Sequence, residues 1–132
     1  MPIWPIYRAL KQIAQHEFDD IVVNETILTL STGVPAKLRL DVIDGSIMDV
    51  FISQSGRYSY HWDRRVIGID EIYRHDNAPH LRWKRVATFP KHFHDGDEEN
   101  VTESHIDDNP EQAIRQFLVF VRQKLLSTED KT

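Results

Sequence analysis

The chain has 132 residues, a length that predicts one compact domain spanning residues 1–132. Hydrophobic residues make up 40% of it, and no apolar run approaches the roughly 18 residues needed to cross a bilayer, which excludes a membrane span. The start of the chain, residues 1–5, has neither a basic leader nor a small-residue cleavage site, so we expect a cytoplasmic protein. Cysteine is absent, which excludes disulfides, zinc ribbons and thiolate chemistry.

The net charge of -5 is distributed unevenly along the chain. Residues 57–94 carry eight Lys or Arg against four Asp or Glu, whereas residues 95–132 carry four against ten. An acidic total argues against a constitutive nucleic-acid binder, but a basic segment can still attract phosphate locally. Five of the seven histidines also lie in the basic segment, and these are His61, His75, His80, His92 and His94. We therefore expect any chemistry to reside in residues 57–94.

The first predicted element is an amphipathic helix over residues 5–17, because apolar side chains recur there every three or four positions. Pro5 suits its first turn, where a backbone N–H has no partner to lose. Residues 21–30 are rich in β-branched side chains and predict one interrupted strand. The breaker-rich residues 31–35 predict the turn that follows.

Alternating hydrophobicity predicts the central strands. Asp44-Gly45 supplies a tight hairpin turn, and Gly68 marks a bulge or a close approach of backbone. The predicted strands cover residues 37–43, 47–53, 57–63 and 66–75. In the third of them Tyr58, Tyr60 and Trp62 share one face, which favours core packing for Tyr58 and Trp62.

The remaining chain is predicted to be loop and then helix. Residues 76–90 are a loop with a short extended piece at 81–86, and the acidic residues 95–108 are a solvated, mobile segment. Asn109 is the expected cap of the last helix, with Pro110 in its first position. Its buried stripe is formed by Ala113, Ile114, Phe117, Leu118, Val121 and Leu125.

Together these elements predict an α+β fold. We expect an antiparallel meander sheet of four to five strands, with the N-terminal and C-terminal helices packed on one face. The other face is then open or covered by a partner.

Three short motifs concentrate the polar and aromatic side chains. They are Tyr58-Ser59-Tyr60-His61, Arg74-His75-Asp76-Asn77-Ala78-Pro79-His80 and Phe89-Pro90-Lys91-His92-Phe93-His94. In this order, over residues 36–94, they resemble the TumE family of toxins from toxin-antitoxin pairs. In the third motif, Lys91 stands where the family often has a further histidine.

The resemblance implies a growth-inhibiting toxin that acts on RNA and is neutralised by a small helix-turn-helix antitoxin. Carried over by motif position, it marks Tyr60, His61, Arg74, Asp76, Asn77, His80, His92 and His94. The sequence leaves the oligomeric state open, with a homodimer as one option.

The same residues predict a mechanism by their chemistry. Metal-independent RNA cleavage needs a base for the 2'-hydroxyl proton, an acid for the leaving 5'-oxygen and a cation for the phosphorane. Histidine supplies either proton-transfer role, an arginine fork fits phosphate, and Asp76 would hold a histidine tautomer or neutralise Arg74. The candidate catalytic residues are His61, Arg74, Asp76, His80, His92 and His94. The candidate substrate-binding residues are Arg57, Tyr58, Tyr60, Asn77 and Lys91.

Several alternatives remain open. His92 and His94, two positions apart in an extended segment, could ligate a metal with His80, His75 or Asp76, although the metal-free reaction is favoured and no cofactor is expected. The surface could instead be a non-catalytic protein-binding module. Asn77 before Ala78-Pro79 also fits a simple turn.

Three interpretations are possible for the acidic residues that follow the third motif. These residues are Asp95, Asp97, Glu98 and Glu99. The first choice is a solvated loop, since adjacent carboxylates usually face water. They could also resemble a cation site, or mimic phosphate and shield the basic segment.

Overall fold

The computed structural model describes residues 3–130, with side chains described over 3–127. Within these residues the chain forms one α-helix, a seven-stranded antiparallel sheet and a second α-helix. Each strand pairs with the next in the chain, so the sheet is a meander. The elements are α1 Ile3–Glu17, β1 Val22–Thr29, β2 Pro35–Val42, β3 Ile47–Ile52, β4 Tyr58–Asp63, β5 Ile72–Asp76, β6 His92–Gly96, β7 Val101–Glu103 and α2 Pro110–Asp130.

The α+β class and the antiparallel sheet are confirmed, but the prediction of four to five strands is wrong, because the described chain has seven. β6 and β7 supply the difference, and β7 lies inside the segment 95–108 predicted to be a mobile loop. Their sequences lack the apolar alternation that identifies a strand, since His92 and His94 occupy one face of β6. β5 is also shorter than predicted, because the chain first makes a 3-10 turn that ends at Gly68 with φ 82°.

Both helices pack on the same face of the sheet. Tyr7 of α1 donates a hydrogen bond from its hydroxyl to the Ile52 carbonyl (3.1 Å) and accepts one from the Ile52 amide (2.8 Å). Phe117 of α2 packs edge-on against Tyr60, with ring centroids 6.5 Å apart. The two helices are also joined by Arg115, whose guanidinium contacts the Glu17 carboxylate at 2.9 and 2.8 Å.

The start of α2 agrees with its prediction. The side-chain oxygen of Asn109 accepts hydrogen bonds from the amides of Glu111 (3.0 Å) and Gln112 (3.2 Å), and Pro110 is the first helical residue. These bonds satisfy two of the amide groups that the first turn of a helix leaves without intrahelical partners.

The hydrophobic core lies between the helices and one face of the sheet. Its largest fully buried side chains include Trp62, Tyr7, Tyr60 and Phe117. Because side chains alternate along a strand, the intervening residues point to the opposite face, away from both helices. Within residues 3–130, no helix combines the length and apolar character required to span a membrane.

His75 is an exception among the candidate histidines, because it faces the helices. Its ring stacks on Phe93 with centroids 4.2 Å apart, and its Nδ1 is hydrogen-bonded to the Ser104 hydroxyl at 2.7 Å. Burial, reinforced by the charge of Lys91, lowers the pKa of His75 from 6.5 to about 4. The folded protein therefore keeps this imidazole neutral at pH values where the unfolded chain protonates it.

A histidine with a depressed pKa in the folded state makes folding weaker on acidification. We expect the free energy of unfolding to fall between pH 6.5 and about 4, with His75 contributing up to ~3 kcal/mol. His75→Phe keeps the ring contacts and removes the titrating group, so urea denaturation should show a shallower pH dependence. His16→Gln, at an exposed position on α1, should keep the parent slope. Equal slopes for all three proteins would contradict the assignment.

Candidate functional site

Two rows of polar residues cross β4, β5 and β6 on the face that the helices leave free. One row aligns His61, Arg74 and His94, and the next aligns Asp76 with His92. The antiparallel register thus brings residues from distant parts of the sequence into direct contact. All five are among the residues predicted to be catalytic.

The loop between β5 and β6 folds back over these two rows. Its 3-10 turn places Trp83 above the histidines, with ring centroids 6.2 Å from His92 and 5.9 Å from His94. Arg82 lies over the outer side of the indole, 4.6 Å from its centroid. A pocket of about 320 Å³ forms between this loop and the sheet, lined by Arg74, Asp76, His80, Arg82, Trp83, His94, Glu98 and Glu99.

The carboxylate of Asp76 lies at the centre of the cluster. One oxygen accepts a hydrogen bond from Nε of Arg74 at 2.9 Å. The other accepts from the Ala78 amide at 2.9 Å and lies 3.2 Å from Nε2 of His92. Asp76 therefore neutralises Arg74, which is one of the two roles that the sequence left as alternatives, and it also lies against His92.

Backbone carbonyls set the tautomers of the two β6 histidines. Nδ1 of His92 donates to the Pro90 carbonyl at 2.8 Å, and Nδ1 of His94 donates to the Glu98 carbonyl at 3.0 Å. In the neutral rings each Nε2 then carries a lone pair. His94 uses its lone pair to accept a hydrogen bond from Arg74, with the two nitrogens 3.0 Å apart.

Burial and the arginine charge keep His61 and His94 neutral. Burial is the larger effect on both residues, and the guanidinium of Arg74 adds to it by repelling a proton, so the pKa of each lies below its usual value. Nε2 of His61 is buried and has no hydrogen-bond partner among the described residues. No described residue therefore competes for Nε2 of His61, whereas Nε2 of His94 is occupied by Arg74.

The acidic turn between β6 and β7 closes the pocket from the other side. Glu98 contacts Arg74 through two bonds of 3.0 and 2.8 Å, and Glu99 is hydrogen-bonded to Arg82. Burial alone would raise the pKa of Glu98, but the hydrogen bonds and charge of Arg74 lower it. Two carboxylates of this turn thus occupy donors of both pocket arginines.

The residues predicted to be catalytic either line the pocket or lie next to it. Arg74, Asp76, His80 and His94 line the pocket. His92 lies directly behind it, fully buried, and His61 adjoins Arg74 in the neighbouring strand.

The two tyrosines predicted to bind substrate lie away from the pocket. Tyr60 is 2% exposed in the core, and Tyr58 is half-buried on the same helix-covered face, with its ring centroid 5.5 Å from that of Tyr60. Burial raises the pKa of Tyr58 to about 12, with the charges of Asp108 and Asp76 adding to the effect. Both rings therefore lie on the opposite face of the sheet from the pocket.

The other proposed substrate contacts have structural partners or lie apart. Asn77 accepts a hydrogen bond from the Tyr58 amide and donates one to the Gly56 carbonyl, each at 2.9 Å, so its side chain joins the turn before β4 rather than building its own turn. Lys91 bonds to the Ile106 carbonyl and, at 3.0 Å, to Asp108. Arg57 is exposed in the turn before β4.

Four of the pocket residues were not among the predicted site residues, and these are Arg82, Trp83, Glu98 and Glu99. An isolated tryptophan beside arginine in an otherwise polar loop was a usable signal, since such a ring is rarely left in solvent. For Glu98, the possibility that acidic residues shield the basic segment was the relevant clue.

One group in the described chain is suited to a metal ion. Single donor atoms of Asp76, His92 and His94 lie within 4.8 Å of one another, and all three residues are buried. Of the three ligands considered from the sequence to complete the β6 pair, Asp76 is therefore the one in place.

Comparison with known proteins gives one result. The family model described as "Toxin TumE" matches residues 8–125, which is most of the chain. No curated protein and no solved structure matches the chain.

The contacts of Asn77 predict a structural role that mutation can test. Asn77→Ala removes two hydrogen bonds that tie the turn before β4 to the end of β5. We expect it to lower the free energy of unfolding by ~1–3 kcal/mol, measured by urea denaturation. Arg57→Ala, in the same turn but exposed, should change stability by less than ~0.5 kcal/mol. Equal stability of the Asn77 variant and the parent would contradict the structural role.

Proposed function

Because the chain belongs to the TumE toxin family, we propose that it is the toxin of a toxin-antitoxin pair and inhibits growth by cleaving RNA. The supporting observation is the pocket itself, which is lined by Arg74, Arg82, His80 and His94 together with Trp83. Guanidinium and imidazole groups in one cleft are the combination that phosphodiester transfer requires. Membership of a toxin family also implies a cognate antitoxin.

The proposed reaction is transfer within the RNA backbone. A histidine takes the proton from a ribose 2'-hydroxyl, and the 2'-oxygen bonds to the adjacent phosphorus. The bond from phosphorus to the 5'-oxygen breaks, and a protonated histidine gives its proton to that oxygen. The products end in a 2',3'-cyclic phosphate and a 5'-hydroxyl, so atoms and protons balance.

The position of each side chain suggests its role in this reaction. Arg74, whose side chain is 21% exposed, provides the fork for two phosphate oxygens, and the exposed Arg82 extends the positive rim. His61 and His80 are the proton-transfer candidates in a metal-independent reaction, which is the version that the sequence favours. Asp76 positions Arg74 through the 2.9 Å bond to its Nε.

The binding partners follow from the same proposal. RNA is the substrate, and a helix-turn-helix protein is the proposed antitoxin, with the cytoplasm as the shared compartment. The basic segment 57–94 supports weak, salt-sensitive attraction to RNA rather than tight sequence reading.

Arg74→Gln tests the proposal in a cleavage assay on a long RNA. We expect a loss of about 100-fold or more in rate, since the variant removes the cation that stabilises the phosphorane. Arg39→Gln is the matched control, because Arg39 is also bonded to a carboxylate, Asp49 at 2.9 Å, on the same sheet face but outside the pocket. The control should cleave at the parent rate.

RNA that stays intact in the presence of the purified parent protein contradicts the proposal and favours the alternative of a non-catalytic protein-binding module. Cleavage of a 2'-O-methyl RNA at the parent rate contradicts the internal transfer reaction, because that substrate lacks the 2'-hydroxyl proton.

Glu98 should act as an internal competitor of the RNA phosphate. Glu98→Gln removes the charge that holds Arg74 through two bonds, so we expect several-fold tighter RNA binding in a filter assay at low salt. Glu17→Gln is the matched control, since Glu17 makes the same two-bond contact with Arg115 on the helices. Unchanged or weaker RNA binding by the Glu98 variant would show that the acidic turn does not shield the pocket.

A further inference from the structure

We propose that Asp76, His92 and His94 bind one divalent transition-metal ion beside the pocket. Binding itself does not depend on the proposed function, whereas its use in RNA cleavage rests on that function. A metal-assisted reaction would replace the metal-independent version favoured from the sequence.

The donor atoms already lie close to the spacing that an ion requires. Asp76 Oδ1 is 3.2 Å from Nε2 of His92, and its Oδ2 is 3.7 Å from Nε2 of His94. Ligands bound tetrahedrally at 2.0–2.2 Å lie about 3.4 Å from one another. The widest separation in the group is no more than 4.8 Å, so small side-chain rotations bring all three atoms onto one ion.

The unpartnered nitrogen of His92 is the observation that points to a ligand. Nδ1 contacts the Pro90 carbonyl at 2.8 Å, so Nε2 on the other side of the ring faces a carboxylate oxygen of Asp76 at 3.2 Å. This nitrogen is buried, and no described residue donates a hydrogen bond to it. Two electron-rich atoms that face each other at 3.2 Å repel unless a cation or a proton lies between them.

Both histidines have the outer contact that orients metal ligands in proteins. Such a ligand usually donates its second ring nitrogen to a carbonyl or carboxylate, which fixes the tautomer and makes the metal-binding nitrogen more basic. His92 has this contact with Pro90, and His94 has it with the Glu98 carbonyl.

The charge of the pocket also favours a cation. Its lining contains two arginines, Arg74 and Arg82, against three carboxylates, Asp76, Glu98 and Glu99. Histidines apart, the formal charge of these five side chains is therefore -1. A divalent ion reverses the sign and, when bound, can lower the pKa of a coordinated water or polarise a phosphoryl oxygen.

The donor set identifies the class of ion. Two imidazole nitrogens and one carboxylate oxygen suit Zn²⁺ and its neighbours, and three protein ligands leave a position open for water or substrate. Ca²⁺ and Mg²⁺ prefer oxygen ligands and are disfavoured.

Arg74 is the competitor of this ion within the chain. It donates to Asp76 at 2.9 Å and to Nε2 of His94 at 3.0 Å, so the ion must displace the second bond. Glu98 holds the same guanidinium through two further bonds and can keep it in the pocket after that displacement. Removing Arg74 should therefore strengthen metal binding, which a purely structural reading of the cluster does not predict.

Titration of the full-length protein with Co²⁺, followed by visible absorption, tests the proposal. We expect ligand-field bands that saturate at one equivalent, with dissociation constants of about 10 μM or tighter, and loss of the bands when Zn²⁺ is added. Absence of bands at tenfold excess Co²⁺ overturns the proposal for the parent protein, whatever the variants do.

Variants locate the site. Asp76→Asn retains an oxygen for the Ala78 amide, and His92→Asn retains an N–H near the position of Nδ1, so each removes mainly the metal donor. Both should lose the bands, while circular dichroism confirms their folding. The control is His105→Gln, which removes an exposed histidine that lies 3.1 Å from Glu103 and should bind like the parent.

Arg74→Gln keeps the proposal testable if the buried variants fail to fold. It should bind Co²⁺ about tenfold more tightly than the parent, because a charged competitor is gone. Weaker binding by this variant contradicts the proposed site. Co²⁺ absorption bands in a protein that does not cleave RNA would support the metal site and refute the ribonuclease function. Failure of the metal proposal can thus be distinguished from failure of the proposed function.

Discussion

The buried carboxylate of Asp76 is the constraint on which the polar face of the sheet depends. Only 7% of this residue is exposed, so its charge has lost most of its hydration and must be compensated within the protein. Arg74 provides part of that compensation, and the Ala78 amide provides a hydrogen bond at the point where β5 passes into the loop. One side chain thus links the end of a strand, the path of the covering loop and the orientation of the pocket arginine.

Because side chains alternate along each strand, the sheet places its core residues on one face and the residues of the candidate site on the other. On β4, Tyr60 and Trp62 point toward the helices, while His61 between them points to the polar face. The same alternation on β6 gives Phe93 to the core side and two histidines to the site. A seven-stranded meander with helices on one face can therefore carry a cluster of charged residues without interrupting its core, because the two sets of side chains never share a face.

Sequence reasoning succeeded where periodicity and charge pointed the same way. The two helices, the hairpin around Gly45 and the Asn109 cap follow from local patterns, and so does the concentration of histidines in one basic segment. β6 and β7 could not be recognised, because residues that serve a site displace the apolar residues that mark a strand. The positions of Trp83 and Glu98 depend on how two loops fold over the sheet, and that is decided by tertiary contacts such as the Arg74 ion pairs rather than by local sequence.

Three residues of the cluster compete for the guanidinium of Arg74. Its donors are divided among Asp76, His94 and Glu98, and the proposed phosphate or metal ion would have to take over some of these contacts or replace their charge. Each exchange trades one charge-assisted hydrogen bond for another, so its net free energy is small compared with the gross interactions. The internal contacts of Arg74 therefore persist until a ligand binds more tightly than they do. The two bonds from Glu98 set the affinity that such a ligand would need.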